Sequence, residues 1–158
     1  MRSALTARRR LPALGLAVVV VGLLAGCTRP VAVPEPTPDD ADRSTCTALV
    51  AALPDEVEGG LPRTVEPGVL TAAWGDPPIT LRCGVAAPPG LTPASECLEV
   101  NGVGWFGEEA TGGMIFTTIG RAAFVEVSVP TQYPLGSGAL VDLGATVTEH
   151  DPVVKPCR

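Results

Sequence analysis

Cysteine spacing constrains this chain more than any other feature. Cys27 follows an apolar run and stands apart, which leaves Cys46, Cys83, Cys97 and Cys157. An even number of cysteines in an exported chain points to two disulfides. Metal binding would want closer pairs of the C-x-x-C type, and none is present. Periodicity chooses among the pairings. A helix is expected from Ser44 as N-cap to about Leu53, stopped by Pro54. Within it Cys46, Leu49, Val50 and Leu53 recur at helical spacing, so Cys46 lies on the buried stripe. The segment 79–85 alternates as a strand, with Ile79, Leu81, Cys83 and Val85 on one face. A helix packed on that face brings the two sulfurs together, which favours Cys46–Cys83 and leaves Cys97–Cys157 by elimination.

Export is read from the N-terminus. Residues 1–10 carry Arg2, Arg8, Arg9 and Arg10, and residues 11–24 form an apolar run. That run falls short of the roughly 20 residues a spanning helix needs. It ends in Leu24-Ala25-Gly26-Cys27, the pattern of a bacterial lipobox. Small residues at 25 and 26 fit a signal-peptidase cleft, and Cys27 supplies the thiol for a diacylglyceryl thioether. The expected organisation is a signal peptide over 1–26, lipidated Cys27 leading a tether over 27–45, and one extracytoplasmic domain over 46–158. The protein would then sit on the outer face of the cytoplasmic membrane, held by two or three acyl chains. Pro30, Pro34, Pro36 and Pro38 give the tether an extended character. At about 3.1 Å per residue it would reach roughly 55 Å from the bilayer. Asp39, Asp40 and Asp42 read as a solvated acidic linker rather than a calcium cage, which needs more oxygen ligands on a fixed loop.

Charge excludes one class of partner. The chain has 11 bases and 17 acids; four of the bases and none of the acids precede Cys27. The remainder carries 7 bases against 17 acids, a net charge of −10. Phosphate backbones would repel such a surface, so nucleic acid is not an expected partner.

The other elements read mainly as hairpins. A strand over 69–74 turns at Gly75-Asp76-Pro77-Pro78 into the strand over 79–85. Segments 98–100 and 103–106 flank Asn101-Gly102, a strong hairpin signal. Residues 108–113 read as a turn or flexible loop. Segments 115–119 and 122–129 flank Gly120-Arg121, a second tight hairpin, and a last helix is expected over 138–149. The fold class is α+β: an antiparallel sheet of hairpins covered by about two helices and stapled by disulfides. A β-sandwich is the alternative if the last helix is a strand.

Catalytic signatures are sparse. No G-x-S-x-G occurs, and Gly136-Ser137-Gly138 has the wrong spacing for it. His150 is the single histidine and reads as a helix-end residue. Glu108 and Glu109 are adjacent, so their side chains point apart rather than across a cleft. Trp74 and Trp105 read as core; exposed, they would join Arg121 as a candidate binding surface. Arg82 points away from the Cys83 face and reads as a surface ion-pair partner, as does Arg121. No catalytic, cofactor-binding or metal-binding residue is assigned, and no cofactor is expected.

In order along the chain stand Cys46-x-x-Leu49-x-x-x-Leu53-Pro54, Ala73-Trp74-Gly75-Asp76-Pro77-Pro78-Ile79 and Leu81-Arg82-Cys83-Gly84-Val85. They are followed by Val100-Asn101-Gly102-Val103-Gly104-Trp105, Phe116-Thr117-Thr118-Ile119-Gly120-Arg121 and Val125-Glu126-Val127-Ser128-Val129-Pro130. This succession resembles the DUF3515 family over about residues 46–149. The resemblance implies a lipid-anchored or exported protein of high-GC Gram-positive bacteria and implies no activity. It also implies cysteines at the positions of Cys46 and Cys83, whereas Cys97 and Cys157 are less typical.

Three functions are weighed. The leading one is a non-enzymatic binding or accessory module of the cell envelope, with an envelope protein or wall polymer as partner. The second is a small-ligand binder with a pocket near Trp105 and the 107–114 loop. The third is an envelope hydrolase built on Glu108, Glu109 or Asp76.

Overall fold

A computed structural model describes residues 29–133 and 136–156. In chain order the elements are β1 (Val31–Ala32), α1 (Asp40–Ala51), β2 (Val65–Glu66), β3 (Thr71–Trp74) and β4 (Ile79–Cys83). They continue with β5 (Leu98–Val100), β6 (Val103–Ala110), β7 (Gly113–Ile119), β8 (Val125–Pro130) and α2 (Ser137–His150). β3 to β8 form one antiparallel sheet in the order β3-β4-β8-β7-β6-β5, and β1 pairs with β2 in a small parallel sheet. The fold is therefore α+β, with α2 the helix expected at the C-terminal end.

Alternation decides which sheet face is buried. Trp74, Ile79, Leu81 and Cys83 share a face with Val125, Val127, Val129, Phe116, Trp105 and Val103 through the cross-strand register. Leu49 of α1 and Leu140, Leu143 and Val147 of α2 join the same buried cluster. Cys46 and Cys83 are both fully buried and joined by a disulfide, the pairing read from the helix stripe and the strand face. On the opposite face Arg82 and Glu126 sit across from each other in the ladder and form a two-pronged ion pair, Nε–Oε1 2.8 Å and Nη2–Oε2 2.9 Å. The Asn101-Gly102 turn has both residues at positive φ (50° and 76°), the conformation that suits a two-residue hairpin.

Three expectations are corrected. The first concerns the segment expected as a tether, whose described part, 29–45, belongs to the fold. Val31 donates to Thr64 O (2.8 Å) and Val33 to Glu66 O (3.2 Å), and Val33 is buried. The strand alternates: Val31 and Val33 present their N–H groups to β2, while Pro30 and Pro34 fall between, where no donor is needed. Beyond it, the Glu35 carboxylate accepts the N–H groups of Val69 (3.2 Å) and Leu70 (2.6 Å). α1 starts four residues ahead of Ser44: Asp39 is its N-cap, accepting Asp42 N–H at 3.0 Å, and Asp40 and Asp42 stand in the first turn where the helix dipole favours acids.

The second correction is at 108–113, where strands β6 and β7 run to Ala110 and from Gly113, leaving only a two-residue turn. Low β-propensity hid these strands; they pair with each other to the turn, and β7 is further held by β8. The third is at Gly120-Arg121: β7 and β8 pair as the expected hairpin, but their connection runs over 120–124 instead of two residues. The Thr118 hydroxyl accepts Val125 N–H (2.9 Å) and donates to Ala123 O (3.2 Å), standing in for ladder bonds while residues 120–124 loop out.

The arm over 29–39 gives a direct test. Glu35→Ala leaves the buried Leu70 N–H without its acceptor, an expected loss of about 2 kcal/mol. Thermal unfolding should show Tm falling by roughly 10 °C; an unchanged Tm would mean that the arm behaves as a tether after all.

Candidate binding groove at the outer sheet edge

The expected site residues go mostly to the core. Trp74 is 2% exposed and donates from Nε1 to Pro54 O at 3.0 Å. Trp105 is fully buried, and its indole N–H has no acceptor among the described residues. Arg121 is 7% exposed. The candidate surface of Trp74, Trp105 and Arg121 is thus not an exposed surface: each side chain turns inward, the two indoles onto the apolar face and the guanidinium onto a helix end. Cys97 is disulfide-bonded. Its expected partner Cys157, and the expected lipidation site Cys27, lie outside the described residues.

Arg121 has a structural partner. Its Nη1 donates to Asp151 O (2.6 Å) and Val147 O (3.4 Å) at the C-terminus of α2, and Nη2 donates to Gly102 O (3.0 Å). A cation there neutralises the negative end of the helix dipole. Asp151 is itself buried: Oδ1 accepts Ala123 N–H at 3.0 Å, while Oδ2 has no hydrogen-bond partner among the described residues. Burial pushes its carboxyl up from 3.8 to about 6, against the opposing pull of the Ala123 N–H and the Arg121 charge.

A concave region forms elsewhere, where the sheet outruns its neighbours. β5 pairs only with Val103–Trp105, so the outer edge of β6 from Phe106 to Ala110 faces no strand. Val100 and Val103 flank the two-residue turn and exchange both ladder bonds. Continuing that alternation turns the N–H and C=O of Gly107 and Glu109 outward, and both residues are exposed. Beside this edge lies a concavity of about 760 Å³, with Ser95, Leu98, Trp105, Gly107, Met114 and Phe116 in its walls. A second, of about 550 Å³, lies beyond Met114 and Phe116, toward Glu109, Pro130 and Tyr133. Two glycines create the relief. A Cβ on Gly107 would meet the Phe116 ring at 3.3 Å, and one on Gly136 would meet it at 3.4 Å, so the ring lies between two bare backbones.

Other chemistry-bearing residues are dispersed. Glu108 and Glu109 are successive residues of β6 and project to opposite faces. Asp76 stands in the turn after β3, four strand positions from β6. His150 occupies the last turn of α2. The groove lies where the small-ligand reading expects a pocket, near Trp105 and residues 107–114, but those residues are strand and a two-residue turn rather than a flexible loop.

Asp151 makes a measurable prediction. A carboxyl raised in the fold contributes stability that is fully present below pH 3.8 and is lost as pH rises through about 6. The displacement corresponds to about 3 kcal/mol. Measured by chemical denaturation from pH 4 to pH 7.5, the stability of the wild type relative to Asp151→Asn should fall by about that amount. A difference that stays constant with pH would show that the carboxyl titrates normally.

Comparison with known proteins adds the family. No curated protein and no solved structure matches the chain. A family described as a protein of unknown function, DUF3515, matches residues 12–155. With nearly its whole length matched, the chain belongs to the DUF3515 family.

Proposed function

We propose that the protein is a lipid-anchored, extracytoplasmic binding module of the cell envelope, without catalytic activity of its own. The observation that carries this reading is the position of Leu24-Ala25-Gly26-Cys27 relative to the fold. The sequence ends its apolar run at Cys27, and β1 begins at Val31. Three intervening residues span at most about 14 Å from Cys27 to Val31 when extended. A lipid on Cys27 would hold the domain beside the bilayer rather than tens of ångströms away. The β1–β2 pair packs next to β3, one margin of the sheet, and β5 and β6 form the other. With strands about 4.8 Å apart, β6 stands roughly 19 Å from β3. The anchored margin and the grooved margin are therefore opposite, which suits presentation of the groove to an envelope protein or wall polymer.

The small-ligand alternative is favoured by one observation. Both concavities fall within the roughly 300–1,000 Å³ typical of ligand sites.

Two measurements test the proposal together. Cys27→Ala should move the protein from the membrane fraction to the soluble fraction; full retention in the membrane would remove the anchor. Photo-crosslinking in cells from positions 107 and 109 should yield a discrete envelope adduct absent from a control at position 69. No adduct from either position, with a small molecule co-purifying instead, would transfer support to the ligand reading.

A further inference from the structure

We propose that the free edge of β6 binds an extended, basic peptide segment by strand addition, the segment continuing the sheet beyond β5. The inference rests on the binding-module reading and names its partner chemistry. Outward-turned N–H and C=O groups at Gly107 and Glu109 offer the main-chain bonds that strand addition uses. At Gly107 the edge has no side chain, and the concavity beside it is walled by Leu98, Met114 and Phe116. A partner residue opposite Gly107 therefore has room for an apolar side chain. Buried Trp105 borders the same concavity, and its indole N–H has no acceptor among the described residues.

Charge selects the occupant. Between Arg82 and Arg121 the chain has Glu96, Glu99, Glu108 and Glu109 and no lysine or arginine. Glu108 and Glu109 flank the open edge on its two faces, so a strand laid there meets a carboxylate on either side. A second copy of this chain would set those carboxylates against their own duplicates, which opposes edge-to-edge pairing of identical molecules. A peptide with an apolar residue opposite Gly107 and basic residues opposite Glu108 and Glu109 satisfies both the charge and the hole at Gly107.

The test uses the soluble Cys27→Ala chain and seven-residue peptides of lysine with leucine at the central position. Control peptides have the same sequence with N-methyl groups on alternate backbone nitrogens. Binding should slow amide exchange at Gly107 and Glu109 at least tenfold, and the N-methylated peptides should bind at least tenfold more weakly. Charge reversal in the double variant Glu108→Lys, Glu109→Lys should weaken binding at least tenfold while unfolding remains cooperative. Equal binding of the N-methylated peptides would reduce the effect to charge attraction and overturn strand addition, as would binding without protection at Gly107 and Glu109. A dimer broken by Gly107→Pro would assign the edge to a second copy and also overturn the proposal. An envelope adduct from position 107 without any peptide protection would sink strand addition alone and leave the binding module standing.

Discussion

The Cys46–Cys83 bond ties α1 to β4, and much of the N-terminal half is arranged around that tie. α1 has twelve residues and buries only Cys46 and Leu49 fully, so it is marginal as an independent helix. Closing a loop with a sequence separation of 37 removes unfolded-chain entropy worth about 4 kcal/mol in the loop-closure description. With the helix held, the preceding arm has a fixed surface to follow. Pro38 lies against Gly84 so closely that any side chain at 84 would collide with its ring. Glu35 then reaches the N–H groups before β3, and Val31 and Val33 extend the margin with a parallel strand.

The other end of the sheet is organised differently. α1 is tied to β4 by the disulfide and packs on α2, which lies against β5 and β6, but the β6–β7 hairpin extends beyond the stretch of β6 that β5 pairs. Phe116 closes part of the exposed end because glycine at 107 and 136 lets backbone approach its ring. What remains is a groove with apolar walls and an incomplete ladder beside it. The groove and the free edge thus have one cause, a hairpin longer than the elements that flank it.

Much of this fold was legible in residue spacing. Cys46 and Leu49 at i and i+3, and Ile79, Leu81 and Cys83 at alternate positions, are direct consequences of helix and strand geometry, and they gave the disulfide. Asn101-Gly102 gave its hairpin because positive φ is demanded there. The prolines at 30–38 misled because they also suit a strand that donates from every second residue, and only the partner strand reveals which residues those are. Arg121 misled for a related reason. A charged residue after glycine reads as an exposed turn, yet the carbonyls that hold it belong to Gly102, Val147 and Asp151, far away in sequence. Trp105 and residues 107–114 marked the place of the groove, but its shape was hidden because Gly107 contributes by lacking a side chain.

The placement of bases explains why the outer margin stays acidic. Arg82 is paired with Glu126, Arg121 is committed to the end of α2, and Arg63 donates to Gly75 O at 2.8 Å. With so few bases and these three engaged elsewhere, Glu108 and Glu109 meet no basic partner among the described residues. An unpaired edge is a hazard, since any extended chain can complete it, and charge on the edge is a common protection. Under the strand-addition proposal the same two carboxylates oppose a second copy and attract a basic strand. Protection against self-association and preference for a cationic partner are then one electrostatic property seen from two sides.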